Sequence, residues 1–154
     1  MRDLSVPLDG SGLRIGIVAA RFNDSIVVQM LDGTRTRLSA LGVADEDISL
    51  AWVAGAFEIP LAARAMAASG DVDAVVCLGC VIRGETPHFD YVAGEAAAGI
   101  QRVGLDTGVP TVFGVLTTDD LAQAVERAAV DQGDKGADCA DAAVELVQLL
   151  RRLG

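Results

Sequence analysis

Aromatic residues make up only 4% of this 154-residue chain, although 51% of it is hydrophobic. Its core must therefore be filled by alanine, valine and leucine rather than by rings. Histidine occurs once, at His88, and cysteine three times without framework spacing. That sets aside a disulfide scaffold and suits a reducing cytoplasm. No apolar run is long enough to span a bilayer, and the first residues lack a signal-peptide pattern. Positive charge is scarce: 12 Lys and Arg against 22 Asp and Glu leave a net charge of −10. This argues against nucleic acid or an anionic membrane as partner, yet a small anion can still be held by a local cluster of cations and backbone N–H groups. Mean hydropathy is +0.40, and such surplus apolar surface is most simply buried between subunits. An oligomer is expected.

The length fits one domain. Residues 1–12 read as an N-terminal arm ending in a Gly-Ser-Gly joint, and residues 13–154 as a single domain. Apolar runs at Leu13–Ala19, Ile48–Val53, Ala74–Leu78 and Thr111–Leu116, the third free of charge and rich in valine, predict four buried strands. Helices are predicted between and after them. The first is capped by Asn23 or Asp24, carries Val27, Met30, Leu31, Leu38 and Leu41 on its apolar face, and stops at Gly42. The second runs from Pro60 to Gly70, and the third from Pro87 to about Val103 with Thr86 as cap. The fourth runs from Asp119 to about Val130, capped by Thr117 or Thr118. A break at Gly133–Gly136 precedes the last, which carries Val144, Val147 and Leu150. Right-handed crossovers turn this order into a three-layer, flavodoxin-like α/β fold, a four-stranded, mostly parallel sheet with helices on both faces.

Parallel strands point one way, so residues after their ends share one edge, where open α/β sheets bind ligands. Arg21-Phe22, Ala56-Glu58, Cys80-His88 and Phe113-Thr117 are expected there. The third strand, its loop and the following helix organise this edge, because they join a strand end, a helix N-terminus and His88, the chain's one imidazole. Anion binding and proton transfer are the chemistry such a junction offers. The alternatives are an ordinary helix-start histidine at His88, a first-turn acid at Glu58, and core rings at Phe22 and Phe113.

Two motif readings fail. Cys77-Leu-Gly-Cys80 has redox spacing, but an offset of three along a strand sends the side chains to opposite faces. Gly79-Cys-Val-Ile-Arg-Gly84-Glu85-Thr86 nearly matches a P-loop, with Glu85 where the phosphate-binding lysine belongs. Nucleotide hydrolysis is thereby disfavoured, while a bare phosphate on the loop N–H groups is not.

Several stretches carry a family resemblance: Gly-Ala-Phe-Glu-Ile-Pro at 55–60, Leu-Gly-Cys-Val-Ile-Arg-Gly-Glu-Thr-Pro-His-Phe-Asp-Tyr-Val at 78–92, Phe-Gly-Val-Leu-Thr-Thr at 113–118 and Asp-Lys-Gly at 134–136. From Leu13 to Leu153 the chain resembles the lumazine synthases. The resemblance implies condensation of 5-amino-6-(D-ribitylamino)uracil with 3,4-dihydroxy-2-butanone 4-phosphate through a Schiff base, phosphate elimination and ring closure. It implies neither cofactor nor metal. Phe22 would stack on the pyrimidine, Ala56, Phe57 and Glu58 would hold the ribityl chain, and Val81 and Ile82 would offer backbone contacts. Gly84, Glu85 and Thr86 would hold the phosphate end, and His88 would move protons. Phe113, Arg127 and Lys135 would reach the site from a neighbouring subunit, Arg127 meeting the phosphate.

Relatives form homopentamers, and some build sixty-subunit icosahedral shells, for which riboflavin synthase is the enclosed partner. Shell formers often carry glycine and lysine where this chain has Ala129-Val-Asp-Gln132, and asparagine in place of Asp134. The connection here has no added residues, which leans toward a shell, while the altered residue types lean against one, so pentamer and shell both stay open.

Overall fold

The computed structural model describes residues 1–154. Four strands, β1 (Ile15–Ala20), β2 (Ile48–Val53), β3 (Ala74–Ile82) and β4 (Thr111–Thr118), form one sheet in the order β2-β1-β3-β4. Every pairing is parallel, so the expected mostly parallel sheet is wholly so. Five helices surround it: α1 (Asp24–Ala40), α2 (Ile59–Ala68), α3 (His88–Thr107), α4 (Leu121–Ala128) and α5 (Lys135–Leu153). This is the three-layer, flavodoxin-like arrangement. No helix is long and apolar enough to cross a membrane.

Alternation along the strands divides the core in two. Ile15, Ile17, Ala74, Val76, Leu78 and Cys80 face α1, α4 and α5, where Met30, Leu38, Val144 and Val147 meet them. Val18, Val75, Cys77 and Val115 face α2 and α3, against Ile59, Ala63, Ala96 and Ile100. No aromatic side chain is fully buried in either layer. α1 and α5 approach closely at Gly136, where a Cβ would collide with the carbonyl of Met30.

Several local details differ from expectation. β3 runs four residues past Leu78, through Gly79 and Cys80 to Ile82. Gly79 is there for packing rather than turning, since its Cβ would stand 3.3 Å from Ile59 Cδ1. Gly136 does not break the chain but lies inside α5, which starts at Lys135. Asp120, not Thr117 or Thr118, caps α4, its carboxylate accepting the Gln123 N–H at 2.8 Å, while the Thr118 hydroxyl donates to the Asp120 carbonyl. Neither Asn23 nor Asp24 caps α1 through a side chain, and Thr86 makes no cap for α3, which begins at His88. The N-terminal arm lies along α5, with Gln148 and Arg152 donating to the carbonyls of Asp9 and Ser5.

Candidate functional site

The strand ends open on a cleft of about 740 Å³. β1 hands Phe22 to one wall, and the turn after β2 supplies Ala54 to Glu58. The end of β3 gives Cys80, Val81 and Ile82, and its loop gives Gly84 and Thr86. His88, Phe89, Tyr91 and Val92 come from the first turns of α3. Their spacing follows from the helix: positions three and four apart share a face, so His88, Tyr91 and Val92 look the same way.

Rings are concentrated here. Three of the four phenylalanines, and the only tyrosine, line this cleft, and the fourth, Phe113, lines a second groove. Phe22 is 71% exposed, Phe57 59% and Tyr91 70%. Trp52 packs against the core from β2, but a chain with so few rings that leaves Phe22, Phe57 and Tyr91 exposed is presenting flat apolar faces to something outside it. A planar heterocycle is the simplest occupant for such walls. Beside them stand one carboxylate, Glu58, and one imidazole, His88, neither held in an ion pair. The long α3 helix starts at this cleft, lined by Gly84, Thr86 and His88, so the positive end of its dipole lies there, which favours an anion.

The second groove, about 510 Å³, lies beside β4 between α3 and α4 and is lined by Arg83, Phe113, Thr117, Asp119, Gln123 and Arg127 among others. Its two guanidinium groups differ. Arg83 is engaged by Asp119 (3.0 Å) and Asp90 (3.5 Å) and stacks 4.5 Å over the Phe89 ring. Arg127 has no carboxylate partner in the chain and only touches the carbonyl of Gln123 on its own helix. Of the two, it is the guanidinium without an ion pair.

The structure thus brings Phe22, Ala56, Phe57, Glu58, Val81, Ile82, Gly84, Thr86 and His88 together, and leaves Phe113, Arg127, Lys135 and Glu85 outside that cleft. Phe113 was expected at the same strand edge. It falls at the third residue of β4, beside Cys77, because β4 runs on to Thr118. Lys135, the chain's only lysine, lines neither cavity. Phe89 and Tyr91 escaped the sequence reading, although a helix starting at Pro87 already placed Tyr91 one turn beyond His88.

Cys77 and Cys80 point to opposite faces of the sheet, and all three thiols are free and buried. Nowhere do three or more His, Cys, Asp or Glu side chains converge as a metal site.

The family model of 6,7-dimethyl-8-ribityllumazine synthase matches residues 12–151, nearly the whole chain. With its parallel α/β sheet, the chain belongs to the lumazine synthase family, whose enzymes are transferases of riboflavin synthesis.

Proposed function

We propose that this chain joins 5-amino-6-(D-ribitylamino)uracil to 3,4-dihydroxy-2-butanone 4-phosphate, giving 6,7-dimethyl-8-ribityllumazine. The observation that carries the reading is the ring-walled cleft at the strand ends, holding His88 and Glu58 beside an anion-suited loop, in a chain of this family. The primary amine attacks the ketone, and loss of water gives a Schiff base. Elimination releases inorganic phosphate, and attack of the ribityl-bearing nitrogen closes the second ring with loss of another water.

Each residue has a role that its chemistry suits. Phe22 stacks on the pyrimidine, while Ala56, Phe57 and Glu58 hold the ribityl hydroxyls. The backbone at Val81 and Ile82 meets the ring edge. Gly84, Glu85 and Thr86 receive the phosphate through loop N–H groups, and the absence of the Glu85 side chain from the cleft lining is an advantage, since a carboxylate there would repel the anion. His88 carries protons between amine, carbinol and enol stages. Arg127 offers a guanidinium fork to the departing phosphate. Much of the acceleration comes from holding the two reactants in contact, where effective molarity outweighs any single acid or base.

Phe113 and Arg127 line a groove of their own, so a whole site is assembled from the cleft of one copy and the groove of the next, with Lys135 reaching in from that same neighbour. This makes the oligomer, a pentamer or a larger shell, a condition of activity. Mixing the two substrates with the protein and following lumazine fluorescence tests the reaction. Absence of product at a stoichiometric protein concentration would overturn it. Light scattering decides the assembly.

A further inference from the structure

Asn23 is one of two non-glycine residues with positive φ, at φ 63° and ψ 42°. Asparagine is among the few residues that adopt this left-handed conformation readily. Its side chain does not serve the helix it precedes. Instead its Nδ2 donates across the sheet to the carbonyl of Cys80, 57 residues away, at 2.9 Å.

The register explains what that bond replaces. β1 pairs with β3 as far as Ala19 opposite Leu78, whereas β3 pairs with β4 as far as Ile82 opposite Thr118. The end of β3 therefore overhangs its β1 neighbour. In a parallel sheet, alternate residues turn their peptide groups to alternate neighbours. The Arg83 N–H bonds the Thr118 carbonyl on the β4 side, so Cys80 and Ile82 turn theirs toward the ground that β1 has left. The Asn23 amide fills the rung at Cys80. Ile82, two residues on, presents the next rung to the cleft. On its other side the same segment is fastened to β2, with the Arg21 and Phe22 N–H groups donating to the carbonyls of Val53 and Ala54 at 2.9 and 3.0 Å.

We infer that Asn23 is a positioning residue whose amide bridge to β3 sets the gap between the Phe22 ring and the open backbone edge at Ile82, the slot that takes the planar ring of the heterocyclic substrate. The proposal rests on the reading above of which substrate enters the cleft. It assigns Asn23 no contact with the phosphate-bearing substrate, and so predicts a selective effect.

Asn23→Gly is the informative variant, because glycine keeps the left-handed turn at no steric cost and removes only the bridge. Asn23→Asp keeps the size and the turn but sets a carboxylate against the Cys80 carbonyl. In Asn23→Gly, binding of 6,7-dimethyl-8-ribityllumazine and KM for the uracil substrate should each weaken by roughly tenfold, the scale of one lost hydrogen bond plus a loosened ring. KM for the phosphate substrate should move by less than about twofold, and Asn23→Asp should be worse than glycine. Unchanged lumazine affinity, or equal losses for both substrates, would reduce Asn23 to a structural turn residue and overturn the proposal. A second measurement needs no ligand: amide hydrogen exchange at Arg21 and Phe22, whose N–H groups bond Val53 and Ala54, should quicken in Asn23→Gly while the centre of β1 stays protected. Equal exchange in variant and wild type refutes the bridge, whatever the activity assay says. Failure of the wild-type protein to make lumazine would refute the reaction and leave the exchange result standing.

Discussion

Thr34 and Gly136, 102 residues apart, meet inside the seam between α1 and α5: the buried Thr34 hydroxyl lies 2.9 Å from the Gly136 carbonyl and 2.9 Å from that of Met30. Its single proton is shared between them. Nothing larger than hydrogen fits at Gly136, because a Cβ there would run into the Met30 backbone. Asp134 caps α5 from a left-handed conformation (φ 45°), with its Oδ1 against Gly33. The first turn of α5, which carries Lys135, is thereby seated on α1.

Gly136→Ala should cost about 1–3 kcal/mol, the usual penalty for forcing atoms into a filled core. Thr34→Val, which strips two buried carbonyls of their shared donor, should cost a comparable 1–3 kcal/mol or so, and Thr34→Ser much less. Urea unfolding midpoints at unchanged slope give these values. A wild-type midpoint for Gly136→Ala would mean the seam is looser than its geometry.

Gly136 also shows where the sequence was hard to read. Gly79 and Gly136 both read as punctuation, and both lie within regular elements where a neighbour comes close: Ile59 packs tightly on Gly79, and the Met30 backbone leaves no room for a side chain at Gly136. A one-dimensional pattern cannot separate a glycine that turns the chain from one that lets another element approach. The buried valines of β3, the lone histidine and the strand–helix alternation were legible, and they placed the cleft at the strand ends. Strand order was not, since alternation records which residues face inward but not which strand lies alongside. Arg127 and Lys135 stayed unplaced for a different reason, as neither belongs to the cleft of its own chain.

His88→Ala should slow turnover by roughly ten- to a thousandfold and not abolish it, because a positioned acid–base group supplies only part of the acceleration. The exposed ring packs into neither core layer, so stability should hardly change. Steady-state rates equal to wild type would remove His88 from the chemistry.

Arg127→Ala should act on one substrate. A charged hydrogen bond to phosphate is worth about 1.5–3 kcal/mol, so kcat/KM for the phosphate-bearing substrate should fall roughly ten- to a hundredfold. Affinity for the lumazine product, which carries no phosphate, should stay within about twofold. Arg83→Ala is the contrast. Its guanidinium is already held by Asp119 and Asp90, so loss there should affect the loop before α3 more than phosphate affinity. Equal phosphate kinetics in Arg127→Ala and wild type would move the anion elsewhere.

Asp73 links the end of the chain to the start of the sheet. Its carboxylate accepts the Arg14 N–H at 2.8 Å and faces the guanidinium groups of Arg14 and Arg151 at 3.3 and 3.6 Å. Partial burial pushes its pKa up, but the backbone and side-chain bonds from Arg14 and the charges of both arginines outweigh it, and the net shift is downward from the ordinary 3.8. A folded-state pKa below the unfolded one adds stability that is full above the unfolded value and fades as pH falls through the folded one. Wild-type protein should therefore lose stability on acidification below about pH 4. Asp73→Asn should be less stable at neutral pH and should show a shallower acid loss. Parallel acid profiles for the two proteins would show that Asp73 is not responsible.

The three thiols should be inert. Burial pushes Cys77 up to about 12, with the nearby Cys139 adding to it, and raises Cys80 and Cys139 to about 11. Thiolate is the reacting species, so at neutral pH almost none is present, and access is closed as well. A thiol-specific chromogenic disulfide should find no reactive cysteine in the native protein over the time in which a free thiol is consumed, and three in urea. Mild oxidation should leave the unfolding midpoint unmoved, because Cys77 and Cys80 face opposite layers of the sheet and have no path to each other. Rapid labelling of one native thiol would point to Cys80, the one that borders the cleft. Protection of that thiol by bound lumazine would then tie it to ligand access rather than to redox chemistry.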